Sequence, residues 1–175
     1  MPKIITAQRL SGEADKAREY VKVHILFPSG LLGLVFMVAG VSALIYQFVI
    51  DTYGWRTFVE STGLVLLGGL LGWAQTRYHR YLLEVHPGYF ASRMRVFSRG
   101  SHKRAKKEAA SPSLEHSGRS LVPIGYLLGV ALLISASGVI WTAGHVEGVG
   151  AFVLPWAGFF WAKMFFWRGV ITPGK

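Results

Sequence analysis

"PSGLLGLVFMVAGVSALIYQFVI", residues 28–50, runs for 23 residues without a charged side chain. A helix rises ~1.5 Å per residue, so crossing the ~30 Å hydrocarbon core of a bilayer takes roughly 20 apolar residues. The run is long enough to cross, and three more follow: about Phe58–Thr76, Leu121–Thr142 and about Val149–Trp167. Leu121–Thr142 is also uncharged, whereas Phe58–Thr76 holds Glu60 near its start and Val149–Trp167 holds Lys163 near its end. The whole chain of 175 residues is 51% hydrophobic and 16% charged, against about a quarter charged in soluble domains. The expected fold is an all-α integral membrane protein. It has four transmembrane helices in two hairpins, an N-terminal interfacial helix, and a basic cytoplasmic loop that carries an interfacial segment.

Charge sets the expected orientation. Of 19 Lys and Arg, five lie in residues 1–27, ten between Arg77 and Ser120, and three from Lys163 onward. The turn after the first span has only Arg56, and the turn after the third has none. Basic loops stay on the cytoplasmic side, so both termini and the central loop are expected inside, in a bacterial inner membrane. The segments are then 1–27, a cytoplasmic interfacial helix; 28–76, the first hairpin; 77–120, the basic loop; 121–167, the second hairpin; and 168–175, the tail. A cleavable signal peptide is not expected. The first apolar run starts only at residue 28, is longer than a signal core, and follows Glu13, Asp15 and Glu19.

In the N-terminal segment, Ser11 suits an N-cap, and Ala14, Ala17, Val21 and Ile25 recur at helical spacing. Pro28 then suits the first turn of span one, where its missing amide costs nothing. Span two is expected to continue past the membrane through Tyr78, Tyr81, Leu82 and Val85, ending near His86-Pro87-Gly88. Beyond it, Tyr89, Phe90, Met94 and Phe97 alternate with Arg93, Arg95 and Arg99, as an interfacial segment does. Residues 98–120 read as a polar linker. Arg77, Arg80, Arg93, Arg95 and Arg99 are the expected contacts to anionic lipid and to acidic groups of a partner. No nucleic-acid motif accompanies the charge, and none is expected as a partner.

Small residues one turn apart mark helix-packing faces: Ala39 and Ala43, Gly68 and Gly72, Gly125 and Gly129. The fourth span, "AFVLPWAGFFWAKMFFW" (151–167), carries Trp156, Trp161 and Trp167, with Pro155 as a kink. Such bulk suits an aromatic surface toward lipid, another subunit or a flat cofactor. The two hairpins also share weak features. "PSGLLG" and "PIGYLLG" open spans one and three, and Ser42 and Tyr46 match Ser137 and Trp141 in offset.

The chemistry is sparse. The chain has no cysteine, which removes disulfides, thiolate catalysis and iron–sulfur clusters. No span has an ionisable group at its centre, which disfavours ion-coupled transport. Among the six histidines, His24, His79 and His145 fall at span ends and are the candidates, though weak ones, for ligating a pigment or haem. On the outer side, His145 and Glu147 in "GHVEG" lack a metal-ligand spacing. No catalytic residue, no metal site and no intrinsic cofactor is expected, only contact with pigments or lipids of a host complex. The function expected by elimination is a non-catalytic accessory or assembly subunit of a larger membrane complex, of photosynthetic or respiratory electron-transport type. The rivals are a small homo-oligomeric transporter or channel, and a pigment-binding subunit.

Overall fold

The structure, a computed structural model, describes residue 12 and residues 14–86, 88–90 and 121–171, with side chains through Trp167. Regular structure among these residues is helical throughout. Helix α1 is Phe27–Val49, α2 Trp55–Val85, α3 Leu121–Ala143 and α4 Gly148–Ile171. All four are long and apolar enough to cross a membrane.

Helix α1 does not begin afresh at Pro28. Helical turns run from Ala14, pass through a π turn at Lys22–Leu26, and enter α1 without a break. Proline supplies the reason. Pro28 has no N–H for the carbonyl four residues back, and its ring crowds that carbonyl. The Phe27 N–H instead bonds to Lys22 O, five residues back, and this wider turn accommodates the ring. Helix α2 continues to Val85, as its pattern predicts, and a helical turn follows at residues 88–90.

Two helix ends close in left-handed caps. At the end of α1, Thr52 N–H bonds to Gln47 O (3.0 Å) and Asp51 N–H to Phe48 O (3.3 Å), with Asp51 at φ 62°. This pair of bonds satisfies carbonyls left over at a helix end, and aspartate tolerates positive φ better than most residues. Gly144, at φ 77°, ends α3 in the same region, its N–H on Trp141 O (3.0 Å). The connections are short: residues 50–54 and 144–147.

Contacts divide the chain into two units, residues 1–27 with 77–119, and residues 28–76 with 120–175. Among the described residues of the first, Ala17, Val21, Leu82 and Phe90 are buried. In the second, the core is Leu64, Val146, Ala151 and Leu154, with Leu44, Val65, Ala136 and Ile140 packed on it. Every helix of that unit contributes to the core, and α4 is its centre.

The fourth helix, expected to present an aromatic surface, also buries one stripe of small residues. On α4, Ala151, Leu154, Ala157 and Gly158 are buried. They recur every three or four residues and form a narrow stripe between the aromatics. Against it lie Gly33 and Gly40 of α1, facing Phe160 and Leu154, and Gly68 and Gly72 of α2. The α2–α4 contact is backbone on backbone. A Cβ on Gly68 would overlap the Pro155 carbonyl, one on Gly72 the Phe159 carbonyl, and one on Gly158 the Val65 carbonyl. Such close approach lets dispersion and Cα–H···O contacts hold helices together where lipid removes any hydrophobic drive. Helix α3 packs on α4 but buries only Leu133 and Ser137 of its 23 residues.

Candidate functional site

Among the described residues, a set of polar contacts gathers around the α3–α4 turn. The backbone carbonyl of His145 accepts two hydrogen bonds, from Thr57 Oγ1 of α2 (2.9 Å) and from Gln47 Nε2 of α1 (3.1 Å). Thr57 Oγ1 in turn accepts the Gly54 N–H (3.2 Å). Both donors are buried, Thr57 at 2% exposure and Gln47 at 5%. One carbonyl in the second turn thus fastens the ends of α1 and α2.

The imidazole adds a second layer. His145 Nδ1 lies 3.0 Å from Glu60 Oε1, and its Nε2 lies 3.4 Å from an Arg56 guanidinium nitrogen. The Glu60 contact is short but bent, so its attraction is chiefly electrostatic. An arginine nitrogen can only donate, so its bond to Nε2 requires the tautomer that carries its proton on Nδ1, toward the carboxylate. Nε2 has the Arg56 contact, while Nδ1 lies near Glu60 without a hydrogen bond to it. The hydroxyls nearby serve backbone carbonyls, Thr57 that of His145 and Ser61 that of Phe58 (3.1 Å). The bonds to the His145 carbonyl fasten the turn, while Gln47 Oε1, Glu60 Oε2 and His145 Nδ1 are buried without a hydrogen-bond partner.

His145 and Glu147, two residues apart in sequence, have different settings in the fold. Glu60, from the start of α2, is the carboxylate at His145, and Glu147 is exposed. The spacing within "GHVEG" carried no sign of this, because the partner lies on another helix. A clue did exist. Glu60 is the one acid inside an otherwise uncharged apolar run, and such a residue needs a partner.

The other candidate histidines lie in the first unit, within an aromatic cluster. His24 stacks on Tyr20 (4.8 Å between centroids, 7° between planes), Tyr20 meets Phe90 at 5.9 Å, and His79 meets the same Phe90 edge-on at 6.4 Å. Phe90 therefore ties together the two histidines that sequence singled out. Arg77 and Arg80 are exposed on the last turns of α2, while Arg93, Arg95 and Arg99 lie outside the described residues.

The expected packing residues divide. Gly68 and Gly72 make the closest approaches, and Ala43 is buried against Gly150. Ala39 is half-buried, a Cβ on Gly129 would meet only Leu71 at ordinary distance, and Gly125 faces open space. Gly33, Gly40 and Gly158 also face other helices closely. Gly158 with Ala162 and Ser29 with Gly33 have the same one-turn spacing of small residues, so the motif alone did not single out the faces that pack. Of the three tryptophans, Trp161 is exposed, Trp156 half-buried and Trp167 fully buried, so the aromatics do not form one surface. Ser42 and Ser137, matched by offset, differ in setting: the first is exposed and the second buried. Lys163 Nζ sits over the Phe159 ring, 5.2 Å from its centroid.

No family model matches the chain, and no curated protein or solved structure is similar to it.

Proposed function

We propose that this protein is a non-catalytic accessory subunit of a larger bacterial membrane complex, of photosynthetic or respiratory type, which it stabilises through helix packing and a basic cytoplasmic face. One observation supports the reading above others. Helix α3 is as apolar as α1, yet buries two residues of its 23, and a Cβ on Gly125 would meet nothing within 4 Å. The same chain uses glycine for backbone contact with a neighbouring helix at Gly68, Gly72 and Gly158, and on α3 both Gly125 and Gly138 are open, as Gly63 is on α2. A glycine on a helix face that packs on nothing loses helix propensity without gaining contact. A partner helix supplies that contact. The polar cluster around His145 fits a support role too, since the Thr57 hydroxyl and the Gln47 amide nitrogen are spent on fastening the turn.

In this reading both termini and residues 77–120 face the cytoplasm, and Arg77 and Arg80 reach lipid phosphates or acidic groups of a partner, together with Arg93, Arg95 and Arg99. A photo-crosslinking residue at Leu127, 71% exposed on α3, tests the reading in native membranes. The expected product is a discrete adduct with another polypeptide. Adducts with lipid alone, or with a second copy of this chain alone, would count against it.

A further inference from the structure

The second unit carries a groove of about 600 Å³ on its apolar surface. Gly69, Gly158 and Ala162 contribute its small residues, and Met37, Trp73 and Phe166 its bulky ones. The volume falls in the ~300–1,000 Å³ range of small-molecule sites. Its position is unusual. On α2 the lining runs from residue 65 to 73, and on α4 from 158 to 166. Eight residues of helix span about 12 Å. A leaflet's share of the hydrocarbon core is about 15 Å, half of ~30 Å.

The apolar runs place that length within one leaflet. Their midpoints fall near residues 39, 67 and 158 on α1, α2 and α4. Met37 lies just before the first midpoint, 65–73 lies almost wholly after the second, and 158–166 starts at the third. All three shifts point toward the membrane face that carries the basic loop. A groove that reaches from one face to the midplane is too short for a partner's transmembrane helix, which needs roughly 20 residues. Water is disfavoured, since the lining residues are apolar side chains and glycines. The matching object is a single hydrocarbon chain that hangs from the headgroup layer.

We propose that the groove holds one acyl chain of a phospholipid from the leaflet on the basic-loop side, as a resident lipid rather than an exchanging neighbour. Glycine and alanine keep the channel open for the chain, and Trp73 and Phe166 flank it where it enters. The inference rests on the membrane-spanning reading of the four helices but not on the identity of any partner.

Two substitutions test it. A Cβ on Gly69 has space, its nearest atom being Gly158 O at 4.0 Å, so Gly69→Leu projects into the groove. Ala162→Phe fills it from the other helix. After exhaustive detergent exchange, native mass spectrometry should find one phospholipid per wild-type chain, and at least tenfold less on each variant. Gly125→Leu, on another helix, should retain the lipid. Wild-type protein without bound lipid, or filled variants that keep it, would overturn the proposal. Filled variants that keep the lipid but lose a partner polypeptide would instead make the groove a protein contact. A measurement on unaltered protein guards against variants that misfold. Phosphatidylglycerol with a photoreactive acyl chain should give adducts concentrated at 65–73 and 158–166. Adducts spread evenly over the exposed faces of all four helices would overturn the inference as well.

Discussion

Glu60 Oε1 lies 3.0 Å from His145 Nδ1, so the one acid of the second apolar run meets the turn between the third and fourth. Their side chains are 23% and 33% exposed, and a polar contact so placed contributes about 0–1 kcal/mol. The larger share of the tie belongs to the His145 carbonyl and its two buried donors. His145→Ala should therefore cost under about 1 kcal/mol. Thr57→Val removes both a donor to that carbonyl and an acceptor for Gly54 N–H, and should cost about 1–2 kcal/mol. Glu147→Ala should be neutral. Thermal unfolding in detergent ranks the three, and an equal or larger loss for His145→Ala would place the strength in the ring.

Glycine substitutions separate internal from external faces. Alanine at Gly68 or Gly72 sets a methyl into a carbonyl of α4, where backbone cannot yield as a side chain does. Each should cost about 3 kcal/mol, the upper end of overpacking penalties, and lower the melting temperature of the isolated chain. Gly125→Ala meets nothing within 4 Å and should leave that temperature unchanged or slightly raised. If α3 receives a partner helix, the same substitution should weaken recovery of the complex. A Gly125→Ala chain that is destabilised on its own would show that α3 already packs there.

Much of the fold was legible in the sequence, because length and lack of charge suffice to mark membrane-crossing helices. The α2 extension to Val85 was also readable from its helical spacing. Less legible was which face of a helix is buried. Counting tryptophans and phenylalanines in 151–167 suggested an outer helix, while burial is governed by Ala151, Leu154, Ala157 and Gly158 between them. Helix-packing motifs were read within single helices, whereas the contact of Gly158 with Val65 O depends on where another backbone lies. The His145 cluster was half legible. Arg56, Glu60 and His145 stand out in the sequence, but Thr57 does not, and the carbonyl that joins Gln47 to Thr57 has no side-chain signature.

Orientation has a direct test. A cysteine at Glu147, exposed in the α3–α4 turn, should react with an impermeant thiol reagent from outside intact cells. One at Ser111 in the basic loop should react only after permeabilisation. Glu147 suits this better than Gly144, whose φ of 77° a side chain would strain. The reverse labelling pattern would invert the topology.

The loop arginines should act together. Changing Arg93, Arg95 and Arg99 to glutamine should leave the four helices inserted, since the remaining basic residues keep the charge bias. Association with the complex should weaken, and more so at high salt, because exposed ion pairs of ~0–1 kcal/mol each matter only in sum. Wild-type recovery of the triple variant in high salt would move the contact surface into the membrane.

The central claim is that this chain is a subunit of something larger. Its most direct test is the mass and composition of the species obtained from native membranes in mild detergent. An accessory subunit should co-migrate with other membrane subunits at fixed stoichiometry, and that species should be lost when the α3 face is blocked. A stable homo-oligomer of this chain alone, able to move solute across liposomes, would contradict it.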